Sequence, residues 1–207
     1  MAELGSTYDI VILEDDPYSE MRYSSEKLPP IKFFDKTGNT IFVNSFSKIF
    51  SPGSRLGYVY ADESIIRKIY DAKTATNSHA NVVTQILCAE FFNRGLYEPN
   101  IKMICDINRE RRDVMMDCIK TMLPDGIKSV YPDGGLFTWV ELPAHVDTTA
   151  MLQDALARKV AYVPGREFFV QDKDLHNNCM RVSFGGVTPE NIRIGMDRLV
   201  KVIKAKM

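Results

Sequence analysis

The stretches EDDPY, residues 14–18, and SFSKIFSPGSRLGY, residues 45–58, decide the fold of this chain. Each begins where a short run of apolar and β-branched residues ends, YDIVILE at 8–14 and TIFVNS at 40–45. Such runs are typical of strands that are buried on both faces of a parallel sheet. A third run, LGYVYA at 56–61, predicts another strand. Polar residues at the ends of buried strands predict a site at one edge of an α/β sheet.

The second stretch contains a lysine, two serines and an arginine within eleven positions: Ser45, Ser47, Lys48 and Arg55. A guanidinium with nearby hydroxyls supplies the donors that a phosphate needs, and a lysine amine forms Schiff bases with aldehydes. These four side chains therefore predict a site for an aldehyde cofactor that carries a phosphate. The alternative is that Ser45 and Ser47 only satisfy backbone groups of their loop.

The first stretch adds Asp15 and Tyr18, which suit the ring of pyridoxal phosphate (PLP). An aspartate held against the pyridine nitrogen raises the pKa of that nitrogen, and a tyrosine hydroxyl can donate to the phenolic oxygen. Successive strand side chains face opposite ways, so we expect only one of Asp15 and Asp16 to reach the ring. The spacing to Tyr18 favours Asp15, and the alternative is that both aspartates only form a turn.

The rest of the chain alternates helical and strand patterns. Asp62 is placed to cap a helix, a second helix ends before Gly95, and apolar residues at helical spacing predict one long helix over 97–123. The remainder predicts an α+β module. Its elements are a turn at PDGG, a strand FTWVELP, a helix from Thr148 to Lys159, strands VAYVP and MRVSF, and a final helix opened by Thr188-Pro189.

Three later motifs follow the first two in a fixed order: PDGGLFTWVELP at 132–143, YVPGREF at 162–168 and CMRVSFG at 179–185. Together with the thirty-three-residue spacing from Asp15 to Lys48, they resemble the pattern of class I/II PLP-dependent aminotransferases. The aminoadipate, kynurenine and aromatic aminotransferases are the subgroup that the motifs resemble most. The resemblance implies the α/β fold called PLP-dependent transferase fold type I.

On that resemblance, residues 1–95 would form the second part of the PLP-binding large domain, with an incomplete sheet. Residues 96–207 would form a long interdomain helix and an α+β C-terminal small domain. The family's upstream glycine-rich loop, stacking aromatic residue and asparagine have no counterpart in this sequence. We therefore expect a truncated half that is poorly active and prone to aggregate by itself.

The resemblance also implies a role for each matching residue. Lys48 would form the Schiff base with PLP and carry a proton, and Arg181 would clamp the substrate α-carboxylate. Gly135, with Gly134, would bring backbone close to the substrate. An internal carboxylate is the alternative partner for Arg181. The residues expected to bind the cofactor are Asp15, Tyr18, Ser45, Ser47, Lys48 and Arg55.

The implied function is transfer of an amino group from an amino acid to a 2-oxo acid, in a protein that is a homodimer when full-length. Two alternatives stay open. Similar domains sense PLP behind winged-helix DNA-binding domains in transcriptional regulators. A degenerate chain of this family would instead be a cofactor-free interaction domain.

Composition narrows the remaining classes of partner. The formal net charge of −1 argues against nucleic acid, and no apolar run has the roughly twenty residues of a membrane-spanning helix. The scattered histidines and cysteines predict no metal site, and a disulfide between Cys105 and Cys118, on one helix, is excluded. We expect a reduced, cytoplasmic protein with a packed core, since 45% of its residues are hydrophobic.

Overall fold

The computed structural model describes residues 1–23, 26–170 and 176–207. They divide into two units, Met1–Ile104 and Cys105–Met207. The helices are α1 Ala2–Tyr8, α2 Glu63–Thr76, α3 Val82–Asn93, α4 Tyr97–Met122, α5 Thr148–Ala157 and α6 Pro189–Lys204. The strands are β1 Ile12–Asp15, β2 Thr40–Ser45, β3 Gly57–Tyr60, β4 Lys128–Ser129, β5 Phe137–Glu141, β6 Val163–Pro164 and β7 Cys179–Ser183.

The first unit contains a three-stranded sheet in the order β1-β2-β3. Strand β1 is parallel to β2, with Asp15 paired to Val43, and β2 is antiparallel to β3, with Ser45 paired to Gly57. The connection from β1 to β2 is fixed by the Glu14 carboxylate, which accepts the backbone N–H groups that open a 3-10 turn at Ile31–Phe34. The two strands predicted over 40–45 and 56–61 are confirmed.

The strand predicted over 8–14 starts later than predicted, and it is not buried on both faces. Tyr8 ends helix α1, where Asp9 takes a left-handed conformation and the N–H of Ile10 donates to the carbonyl of Gly5. The strand begins only at Ile12. Leu13 is 67% exposed, so the face of β1 that carries it is uncovered, and β2 is the only strand paired with β1 among the described residues. The apolar run therefore forms an edge strand here, not one buried on both faces.

The helices of the first unit are capped as their sequences indicate but bury few side chains. The Asp62 carboxylate accepts the N–H of Ser64 at the start of α2, and Asn81 accepts that of Thr84 at the start of α3. Helix α2 buries no residue and α3 buries only Cys88. The long helix predicted over 97–123 is confirmed as α4. The boundary at Gly95 stays a prediction.

The second unit is built on a four-stranded antiparallel sheet in the order β4-β5-β7-β6. In the central pair, Trp139 lies opposite Arg181 and Phe137 lies opposite Ser183. Thr188 caps α6 with Pro189 as its first residue, as predicted. The strand predicted at VAYVP is reduced to Val163–Pro164. The core consists of fully buried apolar side chains, among them Leu142, Met151, Met180, Phe184 and Ile203.

Two further findings concern the helices and thiols. No helix in the described part of the chain is both long enough and apolar enough to cross a membrane. All four cysteines are buried thiols outside any disulfide, and Cys105 and Cys118 both lie on α4, as the sequence predicted.

Candidate active site

The pairing of β1 with β2 brings two predicted site residues to one edge of the sheet. The strands are parallel, and Asp15 and Ser45 are the last residue of each. The N–H of Asp16 continues the pairing by donating to the carbonyl of Val43 at 2.9 Å. Side chains that follow the two strands therefore start from neighbouring points of the backbone, as expected for a site at the carboxyl edge of parallel strands.

The two adjacent aspartates have different surroundings. The Asp16 carboxylate accepts the N–H of Ser19 at 3.0 Å and lines a cavity of about 870 Å³ with Tyr58 and Lys27. The Asp15 side chain is exposed and forms no hydrogen bond or ion pair within residues 1–23, 26–170 and 176–207. Asp16 thus acts as a turn former, whereas the carboxylate of Asp15 is available to a ligand.

Lys48 lies next to Tyr18, although thirty residues separate them in sequence. The Lys48 Nζ atom is 5.8 Å from the centroid of the Tyr18 ring, within the range in which a cation is attracted to an aromatic face. Lys48 is exposed and belongs to none of the ion pairs formed by the described residues. The structure therefore brings together two of the predicted site residues, an amine and a phenol, without a carboxylate that neutralises the amine.

The serine pair lies at the end of β2, where Ser45 is the last residue of the strand and Ser47 is in the loop that follows. The Ser45 hydroxyl donates to the Ser47 Oγ atom at 2.9 Å, and the N–H of Ser47 donates to the Ser45 Oγ at 3.2 Å. The Ser45 hydroxyl thus also has the alternative role considered above, because its oxygen satisfies a backbone N–H group of the loop, that of Ser47. The two hydroxyls nevertheless lie side by side, which is the arrangement that two donors to one phosphate require.

Arg55 precedes β3, the strand that pairs with β2. The N–H of Phe46 donates to the carbonyl of Leu56 at 3.0 Å, which extends the β2-β3 pairing by one residue beyond Ser45 and Gly57. Arg55 has a φ of 51°, in the left-handed region that non-glycine residues avoid. Its exposed guanidinium has no ion-pair partner in the described part of the chain. Two hydroxyls and an unpaired guanidinium fit a phosphate, and the nearby amine fits an aldehyde, so the donor set suits PLP.

Arg181 projects from β7 in the second unit and is half-buried. Its guanidinium carbon lies 4.0 Å from the ring centroid of Phe137 and 4.8 Å from that of Phe168. None of the carboxylates in the described ranges forms an ion pair with it. The internal carboxylate considered from the sequence is therefore not found there, and the guanidinium is free to bind an external one.

The glycine turn that precedes β5 is anchored from α4. Gly135 has a φ of 76°, and a Cβ atom added to it would meet no atom within 4 Å, so conformation and not space requires the glycine. Arg112 is 4% exposed and donates to the carbonyl of Pro132 at 3.1 Å. It also stacks on Tyr131, whose hydroxyl donates to Asp113 at 2.9 Å.

Sequence reasoning missed three residues that shape the second unit's site: Arg112, Phe137 and Phe168. Arg112 lies in the highly charged segment RERRD, where the sequence does not distinguish a buried arginine from one exposed to solvent. The phenylalanines resemble core residues in apolar segments. The alternation of β5 was the one available signal for Phe137, since it puts Phe137 and Trp139 on the same face of the sheet.

The comparison with known proteins agrees with the fold and the motifs. The family model described as aminotransferase class I and II matches residues 1–199. The aromatic-amino-acid aminotransferase 1 of Thermococcus litoralis is 41% identical over the whole chain, which covers 49% of that relative. An uncharacterised HTH-type transcriptional regulator of Bacillus subtilis is 28% identical over 93% of the chain, which covers 39% of the regulator.

Solved structures give the same result for the fold. The kynurenine aminotransferase of Pyrococcus horikoshii superimposes with a TM-score of 0.93 at 38% identity, over 100% of this chain and 50% of that one. The chain thus spans about half the length of the aminotransferases it matches. The α/β fold predicted from the motifs, that of the PLP-dependent transferases of fold type I, is confirmed. The match of the family model over nearly every residue, with the motifs in their expected order, shows that this chain belongs to the class I and II aminotransferases.

Proposed function

We propose that this chain supplies the cofactor-binding lysine and the carboxylate-binding arginine of a PLP-dependent aminotransferase. The observation that carries the proposal is the group formed by the Lys48–Tyr18 contact and the Ser45–Ser47 pair at the carboxyl ends of β1 and β2, together with Arg55 just before β3. Its two cations have no carboxylate partner among the residues that the structure describes. Membership of the family supports the same function.

The residues of the first unit would hold PLP by its different parts. Ser45, Ser47 and Arg55 would hold the phosphate, and Asp15 would keep a proton on the ring nitrogen. Tyr18 would donate to the phenolic oxygen. When bound, PLP supplies an aldehyde that reacts with amines and a ring that withdraws electrons. Lys48 would hold the aldehyde carbon in the resting protein and, once released, would move a proton to or from the substrate α-carbon.

The proposed substrates are an amino acid as donor and a 2-oxo acid as acceptor. Both carry a carboxylate beside the reacting carbon, and the planar fork of Arg181 matches a carboxylate with two parallel hydrogen bonds. Gly135 and its neighbour Gly134 would let the backbone approach the same substrate. We further propose that the whole protein is a homodimer.

A second candidate is a PLP-sensing domain of a transcriptional regulator, and the relationship to the HTH-type regulator of Bacillus subtilis supports it. Both functions need Lys48 and the phosphate-binding residues. They differ in turnover, because a sensor binds the cofactor without transferring amino groups repeatedly to a 2-oxo acid. The accumulation of amino acid product from 2-oxoglutarate distinguishes the two functions.

The test is a visible absorption spectrum of the chain mixed with PLP, followed by addition of glutamate or an aromatic amino acid. We expect a band that Lys48→Ala removes and that amino donors bleach. Lys68→Ala, which removes an exposed lysine of α2, is the matched control and should leave the band unchanged. If a protein of the relatives' full length that carries this chain shows no Lys48-dependent band, the proposal is wrong.

A further inference from the structure

The Arg181 guanidinium is supported by aromatic rings where a carboxylate would be the usual partner. A half-buried cation normally requires an anion, because removing its charge from water is costly. Here the guanidinium carbon lies over the rings of Phe137 and Phe168, at 4.0 Å and 4.8 Å from their centroids. Both distances are well inside the range of cation–π attraction. The aromatic rings therefore replace part of the lost hydration.

The kind of support matters for ligand binding. An internal carboxylate would occupy the N–H groups of the guanidinium and compete with any incoming carboxylate. An aromatic face attracts the cation through its ring quadrupole and uses none of those donors. Arg181 can thus be held in place while its hydrogen-bonding fork stays available.

The two rings belong to different elements of the second unit, strand β5 and the 3-10 turn Gly165–Phe168. Phe137 stands on β5 diagonally across from Arg181 on β7, since Trp139 is the direct partner of Arg181. Phe168 ends the 3-10 turn Gly165–Phe168, and the edge of its ring packs on Trp139 with centroids 5.5 Å apart. The guanidinium therefore contacts rings from two separate segments of the chain.

We propose that Phe137 and Phe168 are positioning residues that hold the Arg181 guanidinium ready for the substrate carboxylate. The inference rests on the proposed function, in which Arg181 binds that carboxylate. Removing either ring would let the long arginine side chain adopt more conformations in the free protein. Carboxylate affinity would fall, because the ordering of the side chain would then accompany binding.

The experiment titrates 2-oxoglutarate into the full chain and into Phe137→Leu, Phe168→Leu and Arg181→Lys variants. The Arg181 Nε–H resonance and the dissociation constant are followed by NMR. We expect Phe137→Leu to weaken binding about tenfold and Phe168→Leu about threefold, since Phe168 is farther away. Phe169→Leu is the matched control: Phe169 contacts Trp139 and His176 but not Arg181, and binding should stay within about twofold of the unmodified chain.

The Nε–H resonance tests the contact without any ligand. Loss of the Phe137 ring should shift it, because the ring current of that aromatic face disappears. An unchanged resonance in both phenylalanine variants would overturn the proposal, and so would unchanged affinity or a lack of 2-oxoglutarate binding by the unmodified chain. The Lys48-dependent PLP band, measured on the same samples, should persist in both phenylalanine variants. Suppose that the PLP band is absent but the phenylalanine variants still bind 2-oxoglutarate more weakly than the unmodified chain does. That result would count against the aminotransferase function and not against the role of the rings.

Discussion

The Nζ atom of Lys48 lies 5.8 Å from the ring centroid of Tyr18, so a residue after β2 contacts one after β1. An exposed cation over an aromatic face gains about 0.5–1 kcal/mol. The contact restricts the positions of the Lys48 amine before any ligand is present. The ring and the hydroxyl of Tyr18 therefore have separable roles, one toward the lysine and one toward the cofactor.

Replacing Tyr18 separates those two roles. Tyr18→Phe keeps the ring and removes one hydrogen-bond donor, so we expect PLP affinity to fall by about threefold to tenfold. Tyr18→Leu also removes the aromatic face, and its affinity should be lower still. Absorbance titration with PLP measures both dissociation constants. Tyr70→Leu, at an exposed position of α2, is the control. Equal affinity of Tyr18→Leu and the unmodified chain would contradict the proposed contact.

Arg55→Gly should raise stability and lower cofactor affinity at the same time. The left-handed conformation costs a non-glycine residue about 1–2 kcal/mol, and glycine offsets part of that gain by its greater freedom in the unfolded chain. We expect the free energy of unfolding to rise by about 1 kcal/mol or less, as measured by urea denaturation. The loss of the guanidinium should weaken PLP binding by about tenfold or more.

Arg55→Lys is the companion variant, because it keeps both the backbone strain and the positive charge. Its stability should match that of the unmodified chain, and its PLP affinity should lie between those of the unmodified chain and Arg55→Gly. If Arg55→Gly binds PLP as tightly as the unmodified chain does, the phosphate is not held by this residue.

Tyr162 makes stability sensitive to alkaline pH. Its hydroxyl donates to the carbonyl of Thr148, and burial, with a smaller contribution from Asp147, raises the pKa of Tyr162 above its ordinary value of 10.0. A raised folded-state pKa gives stability that is fully present below about pH 10 and is lost as the pH rises through the folded-state value. Tyr162→Phe lacks both the hydrogen bond and the titration.

We therefore expect Tyr162→Phe to be less stable than the unmodified chain by about 1 kcal/mol at pH 7. The difference should narrow as the pH rises above about 10, where only the unmodified chain has this tyrosine to ionise. Urea denaturation at pH 7 and at a pH above about 10 measures how the difference in the free energy of unfolding changes. Tyr70→Phe, at an exposed site, should show no such narrowing. A constant difference at both pH values would count against the prediction.

The exposed edge of β1 should promote self-association of the 207-residue chain. Leu13 is 67% exposed on a strand that pairs on one side only among the residues described, and such edges can pair with other chains. Leu13→Lys should shift the sedimentation profile toward monomer at micromolar concentrations. Val170→Lys is the control, because Val170 is more exposed but lies outside any strand. Equal sedimentation profiles for the two variants would show that the edge of β1 does not cause the self-association.

The proposed cofactor site could be derived from the sequence because its signals are local. Ser45 ends β2, Ser47 and Lys48 follow it at once, and the parallel pairing of β1 with β2 needs only two apolar runs. Strand alternation predicted that only one of Asp15 and Asp16 reaches the ring, and the spacing to Tyr18 favoured Asp15; in the structure the Asp16 carboxylate accepts the N–H of Ser19. Helix caps such as Asp62 and Thr188 were predictable for the same reason, since a cap depends on three or four neighbouring residues.

The remaining features depend on contacts that no local pattern encodes. The rings around Arg181 come from β5 and from a 3-10 turn, and only the folded sheet brings them together. Helix α1 was missed because the apolar run was read as starting at Tyr8, before the left-handed turn at Asp9 that separates helix from strand. The exposure of Leu13 was missed because composition shows that a strand can be buried but not whether anything covers it.

The buried thiols can report on the opening of each unit, because a buried thiol reacts only when it becomes exposed. Cys88 lies in the first unit, Cys105, Cys118 and Cys179 lie in the second, and none of the four is in a disulfide. Burial raises the pKa of Cys88, Cys118 and Cys179, which further lowers the fraction of reactive thiolate. Alkylation followed by peptide mapping would therefore record, without any engineered label, when each unit opens and in which order.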